Sequence, residues 1–130
     1  MNTEPKFLQL APQLVVADVV KTAEYYRDML GFKILGYWHN PPVFAIIGRD
    51  GVEIQLGLAD NVNQVQHSNN LQRKDGLDLY IRVSDAAVLH RELASKIEIT
   101  EPLCEQVYGM IEFAVKDCNG FKIVFGQHVS

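Results

Sequence analysis

Seven polar or charged residues fall at alternating positions of four segments that are otherwise rich in apolar residues. They are Glu53, Gln55, Asp78, Tyr80, Arg82, Glu112 and Lys122. Because side chains alternate between the two faces of a β-strand, these groups are predicted to share one face of a sheet, with the apolar residues on the other. Two interpretations of the polar face stay open: a concave cavity that binds a ligand, and a sheet surface that faces water.

Three further residues with binding chemistry lie between a predicted helix and the hairpin that follows it. Trp38 and His39 stand next to the pair Pro41-Pro42, and Tyr108 stands before the last predicted hairpin. At the mouth of a cavity, aromatic rings would stack on a planar or cationic ligand. The alternative is that Trp38 and Tyr108 cap the hydrophobic core.

The histidines and cysteines form no spacing that is typical of a metal or catalytic site. His67 is predicted to be solvated in a polar connector, and His90 to be a half-buried surface residue of a helix. Cys104 and Cys118 form no CxxC pair, and two reduced thiols are the simplest interpretation. A Ser-His-Asp set, a phosphate-binding glycine loop and a dinucleotide fingerprint are also absent from the sequence. We therefore predict no catalytic residue and no metal ligand.

An internal repeat predicts the elements that position these residues. The segment Phe44–Gly57 (FAIIGRDGVEIQLG) aligns without gaps with Phe113–Gly126 (FAVKDCNGFKIVFG), and five residues are identical. In each copy a turn, Asp50-Gly51 or Asn119-Gly120, separates two apolar runs, which predicts a β-hairpin.

A second pair of segments lies upstream of the two hairpins. In each, a strand-like run ends at an aspartate, Asp18 or Asp85, which precedes an amphipathic helix and is predicted to cap it. The buried faces are predicted to comprise Ala23, Tyr26 and Leu30 in the first helix, and Val88, Leu89, Leu93 and Ile97 in the second. We predict one domain over residues 1–130, with a module at 8–58, a connector at 59–75 and a second module at 76–127.

The composition excludes several classes of protein. The chain has 130 residues, of which 48 % are hydrophobic and 22 % charged, as in globular proteins. Its net charge of −4, without a basic cluster, argues against a nucleic-acid partner. No apolar run is long enough to cross a membrane, and the first residues, MNTEPKF, do not resemble a secretory signal. We therefore expect a cytoplasmic protein with no membrane partner.

The sequence resembles the vicinal oxygen chelate superfamily, which includes glyoxalase I, extradiol dioxygenases and bleomycin-resistance proteins. The resemblance runs from about Leu8 to Gly126 and rests on VVADVVKTAEYYRDMLGF, RDGVEIQLG and YGMIEFAVKDCNGFKIVFG, in this order. It implies an α+β fold of two paired βαβββ modules, in which each sheet is a half-barrel with the cavity on its concave face. It also implies a homodimer.

The resemblance places the metal-ligand positions of the family at Ala11, Gln55, Asp78 and Val124. Alanine and valine cannot bind a metal, and two oxygen ligands make a poor transition-metal site. This departure, together with Pro12 in the first strand and the ending of the chain, resembles the bleomycin-resistance-like branch. The predicted cofactor is therefore none; the alternative is a divalent metal held by ligands shifted by a residue or two.

The leading functional hypothesis is a small-molecule-binding protein that sequesters or senses an aromatic or cationic ligand. The predicted contacts are Trp38, His39, Glu53, Gln55, Asp78, Tyr80, Arg82, Tyr108, Glu112 and Val124. Two alternatives stay open: a metal-dependent lyase or dioxygenase of the same superfamily, and a structural or regulatory module without a ligand.

Overall fold

The computed structural model describes residues 4–65 and 68–129, and its first half is a βαβββ module, called module 1. Its elements are β1 (Gln13–Val16), α1 (Val19–Leu30), β2 (Lys33–Trp38), β3 (Phe44–Arg49) and β4 (Val52–Leu58). The sheet has the order β1-β4-β3-β2, in which β1 and β4 are parallel and the other neighbours antiparallel. Since β1 is an edge strand, Pro12 directly before it removes no hydrogen bond from the sheet interior.

The second half repeats this arrangement as module 2. Its elements are β5 (Leu79–Arg82), α2 (Ala86–Ala94), β6 (Glu101–Glu105), β7 (Met110–Lys116) and β8 (Lys122–His128). The sheet order is β5-β8-β7-β6, again with one parallel pair, β5 and β8. The predicted α+β fold of two half-barrel βαβββ modules is therefore confirmed.

Each helix begins at the aspartate that the sequence predicts as its cap. The carboxylate of Asp18 accepts the backbone N–H of Lys21 at 2.9 Å, and that of Asp85 accepts the N–H of Val88 at 3.0 Å. Helix α1 ends at Gly31, whose φ of 72° is the left-handed conformation that favours glycine. Local side-chain chemistry thus fixes where the helices start and where α1 stops.

The hydrophobic core lies between the helices and the apolar sheet faces. Ala23, Tyr26 and Leu30 of α1 are buried as predicted. The sheets contribute the alternating residues Ile54 and Leu56 of module 1, with Ile123 and Phe125 of module 2 at the same places in the repeat. All of these residues belong to one cluster that spans both modules.

The prediction for α2 is wrong at Val88, which is 51 % exposed. The buried positions are Ala86 and Leu93, with Leu89 half-buried between them. Each residue of an α-helix turns about 100° around the axis. Val88 is therefore rotated by about 200° from the buried Ala86 and faces away from the core. His90 is half-buried, as predicted, and its ring lies edge to face with Phe113 at 5.2 Å.

One junction between the modules is a buried hydrogen bond from α1 to the β7–β8 turn. The Tyr26 hydroxyl donates to Asp117 Oδ2 at 2.6 Å, and Asp117 Oδ1 accepts the backbone N–H groups of Asn119 and Phe121. Burial raises the pKa of Asp117, although these three hydrogen bonds act in the opposite direction. The Asn119 amide also donates to the Thr22 hydroxyl at 3.0 Å.

The other junction is an ion pair from the β3–β4 turn to α2. The guanidinium of Arg49 donates two hydrogen bonds to the carboxylate of Glu92, at 2.9 and 3.1 Å. The same guanidinium donates to the carbonyl of Leu30 at the end of α1, at 2.8 Å. Both modules therefore contact each other through a helix of one and a hairpin turn of the other.

Two segments lie outside the modules. Residues 4–12 form neither helix nor strand, and the side chains of Phe7, Leu8 and Leu10 are almost completely exposed. The predicted connector contains a short 3-10 helix at Asn69–Leu71. His67, predicted to be solvated, lies outside the described residues.

Candidate functional site

The polar face of module 2, called face 2, is the side of β5, β8 and β7 that points away from the core. The strand register places Tyr80 beside Val124, and Gly126 between Arg82 and Glu112. Tyr80, Arg82 and Glu112 therefore share one face of this sheet, as predicted, although the residues of β8 on the same face are buried. Arg82 is exposed, whereas Val124 is 7 % exposed beside the Tyr80 ring.

Two side chains of face 2, Tyr80 and Glu112, form a tyrosine–glutamate cluster with Tyr108 of the β6–β7 turn. The Tyr80 hydroxyl donates to Glu112 Oε2 at 2.5 Å, and the Tyr108 hydroxyl donates to Glu112 Oε1 at 2.6 Å. Burial and the hydrogen bond to Glu112 raise the pKa of Tyr80 to about 12. The hydrogen bond to Glu112, followed by burial, raises the pKa of Tyr108 to about 12. Both hydroxyls therefore remain protonated donors at neutral pH.

Glycine at position 126 makes the cluster possible. A Cβ atom built at Gly126 would lie 2.0 Å from the Tyr80 hydroxyl oxygen, closer than any real contact. The Tyr80 ring therefore lies across bare backbone in order to reach Glu112 on the strand beyond. The identity of Gly57 and Gly126 in the repeat is visible in the sequence, but it does not show which ring crosses the glycine.

Two charged residues predicted on face 2 are engaged within the protein. Lys122 is 7 % exposed and forms an ion pair with Glu101 of β6. The carboxylate of Asp78 accepts the Ser68 hydroxyl at 2.7 Å and the backbone N–H groups of Asn69 and Lys122 at 2.9 and 2.8 Å. Asp78 thus fastens the connector to module 2. Its predicted contact with a ligand remains a prediction.

The polar face of module 1, called face 1, is covered in part by two glutamines that were not among the predicted contacts. The Gln13 amide donates to Gln55 Oε1, and the Gln9 amide donates to Glu53 Oε2, both at 3.1 Å. Their signal in the sequence was the spacing of four residues, which places Gln9 and Gln13 on the same side of an extended chain. The predicted contacts Glu53 and Gln55 therefore lie on one face and each has a side-chain partner.

The aromatic residues of face 1 are accessible. Trp38 is 46 % exposed, and its indole lies over Gly36, where a Cβ atom would approach the ring to 2.9 Å. The indole also packs edge to face on Phe44 at 5.4 Å. This exposure favours the interpretation of Trp38 as a surface for stacking over that of a core cap. His39 follows it in the loop and is exposed.

The two faces belong to different sheets. Gln55 lies in module 1, whereas Asp78 and Val124 lie in module 2. Within the described residues, no hydrogen bond or ion pair joins a side chain of face 1 to a side chain of face 2. Side-chain contacts within one chain therefore do not close a cavity between the two faces.

The metal-ligand positions implied by the family resemblance do not fit a divalent ion. Asp78 is occupied by three donors, and Gln55 Oε1 accepts from Gln13. The register pairs Gln55 with Gln13 and Val124 with Tyr80, so Ala11 and Asp78 are not the direct strand neighbours of these two positions. Across residues 4–65 and 68–129 there is no group of three or more His, Cys, Asp or Glu side chains that could hold a metal.

Comparison with known proteins identifies the family. The model of the glyoxalase/bleomycin resistance protein/dioxygenase superfamily matches residues 6–125, so the chain belongs to this superfamily. No curated protein matches the chain by sequence. Among the described residues, no helix has the length and hydropathy needed to span a bilayer.

Solved structures share the fold at low sequence identity. TioX from Micromonospora sp. ML1 is 16 % identical with a TM-score of 0.73, covering 95 % of this chain and 100 % of its own. The bleomycin-binding protein from Streptomyces verticillus, complexed with copper(II)-bleomycin, is 22 % identical with a TM-score of 0.69, covering 98 % and 99 %. A virulence protein from Salmonella typhimurium is 21 % identical with a TM-score of 0.69, covering 97 % and 100 %.

Proposed function

We propose that this protein binds an aromatic, cationic small molecule on face 2 and sequesters or senses it without a resident metal. The observation that carries this proposal is the tyrosine–glutamate cluster, in which the half-buried carboxylate of Glu112 is held by two tyrosine hydroxyls. The copper(II)-bleomycin complex of the Streptomyces verticillus protein supports small-molecule binding by this fold. A cytoplasmic location stays a prediction of the sequence.

The cluster has the chemistry to recognise a cation. Glu112 supplies a negative charge, and the two hydroxyls that donate to it fix its position before a ligand arrives. Tyr80 and Tyr108 both reach this carboxylate with their hydroxyls, so a cation bound there lies near two aromatic rings. The face of a ring attracts a cation by about 0.5–2 kcal/mol, depending on desolvation. A planar cation would gain binding free energy both from the charge of Glu112 and from stacking on a tyrosine ring.

Binding of this kind needs no metal, which agrees with the poor ligand set at the family's metal positions. We therefore propose that no divalent cofactor takes part. Elemental analysis of protein purified without chelators tests this point. A near-stoichiometric content of zinc, nickel, manganese or iron would contradict it and would support a metal-dependent lyase or dioxygenase.

We further propose that the protein is a homodimer in which a second copy completes the cavity. Both polar faces are open within one chain, and Phe7, Leu8 and Leu10 expose large apolar side chains on the segment before β1. Such side chains are normally covered by another surface.

The ligand proposal is tested with N-methylacridinium and acridine, which share one ring system and differ in charge at a mildly alkaline pH. We expect N-methylacridinium to raise the melting temperature more than acridine does. Glu112→Gln should weaken binding of the cation about tenfold, which corresponds to about 1.4 kcal/mol. The matched control Glu98→Gln, at an exposed residue outside face 2, should leave the affinity unchanged.

Equal binding of the two compounds, or binding of neither, would contradict the proposal. So would an unchanged affinity of the Glu112→Gln variant, because the carboxylate is the only charge in the cluster.

A further inference from the structure

A groove of about 460 Å³ lies at the ion-pair junction between the modules, away from the tyrosine–glutamate cluster. Four parts of the fold form its walls: the end of α1, the β3–β4 turn, the end of β5 and one side of α2. Its apolar lining includes Leu30, Phe32, Ile81, Leu89, Leu93 and Phe125, with three valines beside them. The volume falls within the range of about 300–1,000 Å³ that is typical of small-molecule sites.

The repeat provides an internal comparison for this groove. The equivalent corner of the molecule, between the β1–α1 loop and the β7–β8 turn, contains a cavity of about 450 Å³. That cavity is walled partly by polar connector residues, among them Asn63, Gln64 and Asn70, with Lys116 and Asn119 on the other side. Val62, Val65 and Leu71 line that cavity beside the polar groups, so its lining is mixed. The fold therefore does not require a mainly apolar groove at a module junction.

The charged groups around the groove are mostly satisfied by one another. Arg49 and Glu92 form two hydrogen bonds, and Asp50 lies 3.7 Å from Arg49 Nε. The carboxylate of Asp85 caps α2. Arg82 lies at the edge of the groove but is exposed on face 2. Apart from Arg82 at the edge, whose side chain has no ion-pair partner among the described residues, the walls leave an apolar surface without an unpaired charge to recognise an ion.

We propose that this groove is a second binding site, specific for an uncharged and mainly apolar small molecule. Such a ligand would cover the rim residues Val52 and Val88, which are 37 % and 51 % exposed, together with the apolar walls beneath them. An ionised ligand would lose its hydration without gaining a partner in the walls.

The probe for this site is N-phenyl-1-naphthylamine, a neutral compound whose fluorescence rises in an apolar environment. We expect saturable binding, weakened about tenfold or more by Val88→Lys or Val52→Lys, because a charged side chain then occupies the rim. The matched control is Val43→Lys, since Val43 is 40 % exposed in the β2–β3 loop and lies outside the groove. The sulfonated analogue 8-anilinonaphthalene-1-sulfonate should bind more weakly than the neutral probe.

Amide chemical-shift changes on titration with the probe should cluster at Leu30, Val52, Leu89 and Phe125. The proposal is overturned by an absence of saturable binding, by an equal loss in the Val43→Lys variant, or by equal affinity for the sulfonated analogue. Binding that appears only after deletion of residues 1–10 would show that a second copy occupies the groove, and would also overturn it. Glu112→Gln should leave the probe bound, which separates this site from the cation site on face 2.

Discussion

Glu112 and the residues around it show how closely one position depends on another. The carboxylate is held by Tyr80 from one side and by Tyr108 from the other, and the Tyr80 ring reaches it across Gly126. Alternation in the sequence predicted that Tyr80 and Glu112 share a face. It did not predict their contact, because β5 and β7 are joined only through β8, and this register depends on residues far apart in the chain.

Gly126→Ala tests this dependence. The new Cβ atom cannot share space with the Tyr80 hydroxyl, so the ring must leave Glu112. We expect the pKa of Tyr80 to fall from about 12 towards its ordinary value near 10, as measured by the phenolate absorbance during an alkaline titration.

The matched control for this variant is Gly57→Ala, at the equivalent position of the repeat. A Cβ atom there meets only the flexible end of Gln13, at 3.1 Å. This substitution should leave the tyrosine titration unchanged. An unaltered titration in Gly126→Ala would mean that Tyr80 is not held by Glu112.

At the scale of elements, the helices and hairpins follow from local rules. Caps at Asp18 and Asp85 and the turns of the two hairpins were read directly from residue types, and the structure confirms them. Val88 was misplaced because amphipathic spacing defines a face only to within about one residue. The packing of Ala86 and Leu93 decides which side of α2 meets the sheet.

The junction between α1 and the β7–β8 turn is predicted to hold the modules together. Tyr26→Phe removes the donor to the buried Asp117 carboxylate and keeps the ring in the core. We expect the free energy of unfolding to fall by about 1–3 kcal/mol, the cost of a buried polar group that loses its partner. Urea denaturation followed by circular dichroism provides the measurement.

Tyr25→Phe is the matched control, because the Tyr25 hydroxyl makes only a long contact of 3.5 Å with the Lys116 carbonyl. This neighbour should change the stability by less than about 0.5 kcal/mol. If both variants lose the same stability, the buried hydrogen bond is not the reason.

At the scale of the whole molecule, the repeat predicted the fold, and the family resemblance predicted two paired half-barrels. The contacts between the modules were not predictable from the sequence. No local pattern relates the partners in the pairs Tyr26–Asp117 and Arg49–Glu92. The sequence pattern also did not show that Gln55 lies on a different sheet from Asp78 and Val124, because no local pattern relates the two modules.

The proposed homodimer makes a prediction at this scale. Analytical ultracentrifugation should show a mass near twice the 14.7 kDa of one chain. Replacement of both Phe7 and Leu8 by serine should shift the equilibrium towards monomer, because two nearly fully exposed apolar side chains would no longer be covered. A monomeric wild-type protein at micromolar concentration would contradict the proposal.

The two junctions between the modules differ in their exposure to solvent, and we therefore expect salt to affect them differently. Dissolved ions screen the half-exposed guanidinium–carboxylate contact of Arg49 with Glu92, whereas they hardly reach the buried contact of Tyr26 with Asp117. Rising ionic strength is therefore expected to weaken the contact of the β3–β4 turn with α2 more than the contact of α1 with the β7–β8 turn.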